Sequence, residues 1–259
     1  PPLPASSQPQ PHQAAQAETS ERPTNLPEVA MEEVWPVGDS LSVGYVQRLP
    51  MGHIPESSCK IVEKIRMRRG KPVLDKNGNP IIDKGYTKID SAVSGKLTVT
   101  MYKDMLEKIK EKKARGVKTV VISGGINDVG SGRTAEHITT QLNRMAPLAR
   151  DNGMNVVLCT IPSFNISKYV EEDQPRFCAE RSLTIALLDL RLSIVNNWIR
   201  KQAGGLADQV VDLYAEMGNY DTTEQGLQRS DSIHFKGYTK MAQAVARGAN
   251  IRLGDRGVA

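Results

Sequence analysis

An α/β fold, with a central parallel sheet and helices on both of its faces, follows from three features of the sequence. Short, unbroken apolar runs alternate with longer amphipathic stretches. The runs lack the every-second-residue polarity of a half-exposed strand. The stretches between them stop at glycine signals such as Asn152-Gly153 and Gly204-Gly205. Parallel strands covered on both faces read as continuous apolar runs. Strand–helix alternation produces such a sheet because each crossover lays a helix on one of its faces.

The elements follow in order. EVWPV (33–37) reads as the first strand, and a short second strand precedes Ser94 within IDSAVSGKLT (89–98). KTVVIS (118–123), NVVLCTI (155–161) and QVVDLY (209–214) supply the remaining strands. Helical patterns cover 98–115, 134–151, 178–202 and about 237–250. One segment interrupts this rhythm. Residues 66–90 carry Asn77-Gly78 between PVLD and PII, a hairpin signal, and read as a β-hairpin insertion. Residues 1–28 are rich in Pro, Gln, Ala and Ser and too poor in bulky apolar groups to offset ordering entropy. They read as a disordered tail or linker, followed by a globular domain over 29–259.

Composition narrows the function classes. The net charge is +5 with a pI near 9.1, yet the basic residues are scattered or gathered in KIRMRRGK (64–71) and KIKEKKARGVK (108–118). The second belongs to an amphipathic helix whose apolar stripe is expected to be Tyr102, Met105, Leu106 and Ile109, with the lysines opposite. Neither zinc-finger spacing nor an aromatic–basic recognition motif accompanies the charge, so nucleic acid is not an expected partner. No stretch approaches the roughly 18 apolar residues of a membrane span. The first residue is Pro, so the lack of a targeting segment decides nothing. Of the three cysteines, Cys159 reads as a small buried residue, while pairing of Cys59 with Cys178 stays open. No metal-ligand spacing appears, and neither a metal nor a cofactor is expected.

Ligands of open α/β sheets bind beyond the C-terminal ends of the strands. The polar residues expected there form four clusters: Gly38-Asp39-Ser40, Ser94-Gly95, Gly124-Gly125-Ile126-Asn127-Asp128, and Asp231-Ser232-Ile233-His234. Each alone is also a common helix cap or turn. Together they supply what acyl transfer needs: a nucleophile, a base, an orienting carboxylate and polar donors. Among the histidines, His12 lies in the tail, His53 in an irregular segment and His137 within a helical pattern. Only His234 has a carboxylate three residues upstream, where Asp231 can hold the Nδ1–H and leave Nε2 as base.

These blocks, in this order, resemble the SGNH (GDSL-type) hydrolases over roughly residues 33–250. The resemblance rests on Gly38-Asp39-Ser40-Leu41-Ser42, on Gly95, on Gly125-Ile126-Asn127-Asp128, and on Asp231-Ser232-Ile233-His234 followed by Gly237-Tyr238. It implies a three-layer α/β/α, flavodoxin-like sandwich and a catalytic triad of Ser40, His234 and Asp231. It further implies an oxyanion hole from the backbone N–H groups of Ser40 and Gly95 and the side-chain amide of Asn127, with Asp39 and Asp128 structural. Two features depart from the family pattern: the 66–90 insertion lengthens the first interval, and His234 stands close to Gly237.

The expected function is a serine ester hydrolase that removes small acyl groups, with O-acetyl groups on a carbohydrate or cell-wall polysaccharide as the leading substrate class. The alternatives are lysophospholipase or thioesterase activity, acyl transfer on the same triad, and a binding module on a hydrolase fold. The tether-like N-terminus and basic surface favour a secreted, periplasmic or envelope-associated setting over the cytoplasm. Oligomeric state stays open.

Overall fold

The computed structural model describes residues 26–46, 48–49, 59–65, 67–68, 71–72, 74–75, 77–80, 82–89, 92–172, 181–218, 233–235 and 238–252. Four parallel strands form the central sheet: β1 (Val34–Gly38), β6 (Thr119–Ser123), β7 (Asn155–Cys159) and β8 (Gln209–Val211), in the spatial order β1-β6-β7-β8. β1 and β6 are buried at every residue, and Val156–Cys159 of β7 are too. That is what their unbroken apolar runs require. Beyond β1, the expected second strand is reduced to one bridge between Gly38 and Ala92. Pro36 has no N–H to donate, which suits a strand paired along most of its length on one side only. With Ala92 as the rudimentary second strand, the order matches a flavodoxin-like sheet.

Helices cover both faces. On one side α2 (Thr98–Ala114), α4 (Ala135–Asp151) and α6 (Arg181–Arg200) pack in succession, joined by α3 (Ile126–Gly130) and α5 (Ile166–Glu172). On the other side α1 (Ser40–Val46) lies on β1 and touches α8 (Thr239–Gly248), which covers β8 and meets α7 (Leu213–Met217). The result is a three-layer α/β/α sandwich. Packing reaches back along the chain to Leu26 and Val29, both buried, and Val29 bridges Ile251. Residues 1–25 of the expected tail lie outside the described residues.

Three expectations change. QVVDLY is a strand only through Val211, because Asp212 caps α7 by accepting the Ala215 N–H and Leu213 opens that helix. The buried stripe of α2 is Met101, Met105 and Ile109, while Leu106 is 48 % exposed. Lys112, expected among solvated lysines, is buried with its ammonium 5.9 Å from the Trp35 ring centre. The insertion is also longer than 66–90. β2 (Cys59–Ile65) pairs antiparallel with β5 (Ile82–Ile89), and the short strands β3 (Met67–Arg68) and β4 (Lys71–Pro72) pair between them. The Asn77-Gly78 turn is closed by Asp75, whose carboxylate accepts the N–H groups of Asn77 and Asn79. Those bonds hold its pKa below the usual carboxylate range.

Candidate active site

Ser40 opens α1 directly beyond β1, with Asp39 as the only residue between strand and helix. Close packing dictates the glycine before it. A Cβ on Gly38 would stand 2.2 Å from the Ser123 carbonyl oxygen and 1.9 Å from the Ser42 hydroxyl. The room it leaves lets Ser42 Oγ donate to that same carbonyl at 2.9 Å, tying α1 to the end of β6. The first strand therefore turns sharply into a helix that displays Ser40, half-buried, at the C-terminal edge of the sheet.

His234 reaches the same point from 194 residues downstream: its Nε2 lies 2.8 Å from Ser40 Oγ. The segment that carries it is held by apolar contacts. Phe235 is buried and stacks edge-on against Tyr238, whose ring occupies the space that a side chain on Gly44 of α1 would need. Asp231, the expected orienting carboxylate, lies outside the described residues, as do Ser232, Gly237, His12, His53 and Cys178. His137 lies in the first turn of α4, where its backbone N–H donates to Thr134 Oγ1.

The other two clusters converge here as well. Val93 N–H donates to the Gly38 carbonyl at 3.1 Å, so the loop bearing Gly95 starts beside the nucleophile turn. Gly95 is exposed, with φ at +74°. Asn127 sits in the first turn of α3, and Gly125 before it has φ at +113°, a conformation that glycine adopts readily. Asn127 Nδ2 donates to the Lys96 carbonyl at 3.2 Å. An amide nitrogen has two hydrogens, so a second donor remains beside Gly95. Asp128 accepts from the Thr98 N–H at 2.9 Å and from its hydroxyl at 2.8 Å. In that way it supplies the N-terminal cap that α2 lacks locally, since Leu97 provides none.

Two carboxyls thus lie behind the site, and burial is the chief influence on the titration of each. Asp39 is 1 % exposed; Oδ1 accepts the Leu41 N–H at 3.0 Å, and Oδ2 has no hydrogen-bond partner among the described residues. Burial raises its pKa to about 7, with Asp128 adding to the rise and the Leu41 N–H and His234 opposing it. Burial also raises the pKa of Asp128, against the two bonds from Thr98. Burial likewise pushes the Cys159 thiol up to about 12, in keeping with a packing role.

The structure brings Ser40, His234, Gly95 and Asn127 to one edge. Lys96, Thr98 and Asp104 were not singled out in the sequence; Lys96 is buried beside Gly95 and its ammonium pairs with the Asp104 carboxylate. Their partners lie on other segments, and only the Thr at a helix start offered a local hint. Among the described residues no group of three or more His, Cys, Asp or Glu side chains is placed to hold a metal, and no helix is long and apolar enough to cross a membrane.

Known structures share this fold. A GDSL-like lipase from Bacteroides thetaiotaomicron VPI-5482 shares 17 % identity, with a TM-score of 0.50 over 86 % of this chain and 90 % of that one. A Bacteroides fragilis NCTC 9343 protein proposed to be an acylhydrolase shares 17 % identity, with a TM-score of 0.50 over 91 % of this chain and 96 % of that one. At such identity these likenesses concern the fold. No curated protein sequence matches the chain. The family model of the GDSL-like lipases and acylhydrolases, however, matches residues 37–238, from the strand that leads to Ser40 through to Tyr238 beside His234. With most of its length matched, the chain belongs to the GDSL-like lipase/acylhydrolase family and is an ester-bond hydrolase.

Proposed function

We propose that the protein is a serine esterase in which Ser40 is the nucleophile, His234 the general base and acid, and Asp231 the group that orients His234. The observation that carries this reading is the 2.8 Å contact between His234 Nε2 and Ser40 Oγ. Ser40 Oγ attacks the ester carbonyl carbon while its proton passes to Nε2. The negative charge on the carbonyl oxygen is met by the N–H groups of Ser40 and Gly95 and by the Asn127 amide. Nε2–H then protonates the departing alkoxide. Water repeats the sequence on the acyl-enzyme, releasing the acid and restoring Ser40.

For the substrate we infer a short acyl group, with O-acetyl groups on a carbohydrate as the class. Packing behind the Gly124-Gly125 loop supports this: Met101 Sδ, Ile138 and Ile161 fill the space against those glycines. The test is hydrolysis of p-nitrophenyl esters from acetate to palmitate, followed by release of acetate from acetylated glycans. Acetate turnover that falls with chain length and is lost in Ser40→Ala is expected. Preference for palmitate would overturn the short-acyl reading, and full activity in Ser40→Ala would overturn the nucleophile.

A further inference from the structure

We propose that Lys96 is a positioning residue of the oxyanion hole, acting through its buried ion pair with Asp104; the proposal rests on the serine-esterase reading above. Lys96 directly follows Gly95, whose N–H is one of the three donors in that reading. Its side chain is only 4 % exposed, and its ammonium pairs with the Asp104 carboxylate of α2, itself 24 % exposed. Asp104 stands six residues into a helix that begins at Thr98, about 9 Å along its axis. The lysine side chain therefore spans the first two turns of α2.

The backbone around it explains what this arrangement accomplishes. Before Gly95, the chain is fixed by the Val93 N–H on the Gly38 carbonyl, and the Lys96 N–H closes the turn onto the Val93 carbonyl at 3.2 Å. After it, the Lys96 carbonyl accepts from Asn127 and Thr98 is held by Asp128. Gly95 itself is exposed, has no side chain, and adopts a positive φ. Among the described residues no hydrogen bond holds its N–H, whose direction follows from the two anchored flanks. On the downstream flank, Lys96 is the residue whose side chain reaches into α2, and its carbonyl orients the Asn127 amide. One residue thus links two of the three donors.

The pair with Asp104 ties the Lys96 side chain to α2, and removing one partner of a buried pair is costly. Displacement of a catalytic donor by about 1 Å costs on the order of 100-fold in rate. Because the donors act on the oxyanion of the transition state, the loss falls on kcat and leaves KM nearly unchanged.

The experiment compares wild type, Lys96→Met, Lys96→Arg and Asp104→Asn on p-nitrophenyl acetate, with Tm for each. Lys96→Met, which keeps the apolar stem, should lower kcat by about 10- to 100-fold with KM within about twofold. Lys96→Arg should recover most of that loss. Asp104→Asn, at a partly exposed position, covers the case in which Lys96→Met does not fold, and should shift kcat in the same direction by a smaller factor. Combining either folded variant with Asn127→Ala should cost less than the product of the separate losses, because both act on one oxyanion. An unchanged kcat in the single variants, or losses that multiply independently, overturns the proposal. Labelling of wild type by a fluorophosphonate at Ser40 tests the underlying reading separately: without it the esterase assignment itself fails, and with it a negative result falls on Lys96 alone.

Discussion

Asp39 and Asp212 occupy the same place in the local grammar of the fold. Each is the first residue beyond a parallel strand and each leads into a short helix, α1 or α7. Their surroundings are opposite. Asp212 accepts from Arg200 Nε at 2.7 Å, from Thr160 Oγ1 at 2.8 Å and from the Ala215 N–H at 3.1 Å, and these bonds bring its pKa below the usual carboxylate range despite partial burial. Asp39 is buried with one backbone donor and one oxygen without a hydrogen-bond partner among the described residues, and the charge of Asp128 acts on it more strongly than that of His234. The β7–β8 half of the sheet edge is satisfied and braced, down to Asn196, whose side chain exchanges two hydrogen bonds with the Ile161 backbone. The β1–β6 half holds the buried Asp39 Oδ2 beside Ser40, with no hydrogen-bond partner among the described residues. Unsatisfied polarity is found where function is proposed, and the fully answered carboxylate where the fold is braced.

The sharpest way to break this division is to remove one group from the functional half and watch stability. His234→Gln should lower kcat/KM for p-nitrophenyl acetate by about 10⁴-fold or more, leaving Tm within a few degrees of wild type. A large fall in Tm with residual activity would make His234 a packing residue and undo the contrast.

Asp39 sharpens the comparison through pH. Its folded pKa, about 7, lies above the ordinary 3.8. Between those values the folded state keeps a proton that the unfolded chain has released, so stability is greatest below about pH 4 for this group and falls as pH rises to about 7, then levels. Each pH unit is worth about 1.4 kcal/mol, so the full span amounts to roughly 4 kcal/mol. Asp128, raised for the same reason and facing Asp39 from α3, adds a slope of the same sign; His234 and Tyr45 are the other titratable groups around Asp39. Asp39→Asn should therefore flatten, without abolishing, the decline in urea-unfolding free energy between pH 4.5 and 7. A decline as steep as wild type would mean that Asp39 is ionised throughout.

The sheet was legible because its strands are buried on both faces and so lack alternation; Val120, Val121 and Ile122 of β6 are each within 1 % of full burial. The four polar clusters were legible because sheet topology sends strand ends to one edge. What escaped the sequence depends on contacts between distant segments. The second strand shrank to a single bridge between Gly38 and Ala92. Leu106 turned out to solvent and Lys112 turned in toward Trp35, because rotation of α2 is set by what it packs against and not by its own pattern. Lys96 read as one basic residue among many, since Asp104 is eight positions away and their meeting depends on how Lys96 enters α2. Nor does any local signal separate the Asp after VVG-like and VVD-like strand ends: Val37-Gly38-Asp39 and Val210-Val211-Asp212 differ in what α6 brings to the second, Arg200.

That difference yields the smallest expected effect and the one that tests the comparison from its structural side. Asp212→Asn keeps the shape but removes the charge that Arg200 and Thr160 answer. The Arg200–Asp212 pair is about one-third exposed on both partners, so solvent screens part of its worth. A loss of about 1–2 kcal/mol in unfolding free energy at neutral pH is expected, with kcat within about twofold of wild type. The sign with pH is opposite to that of Asp39. Because the folded pKa of Asp212 is depressed, its contribution is present above the unfolded value near 3.8 and fades as pH falls through the folded one. Wild type and Asp212→Asn should therefore differ at pH 7 and converge on acidification. If the gap persists in acid, the loss reflects packing around α7 and not charge. If kcat drops sharply while stability holds, the two halves of the edge are coupled, and Asp212 belongs with the groups that position Ser40.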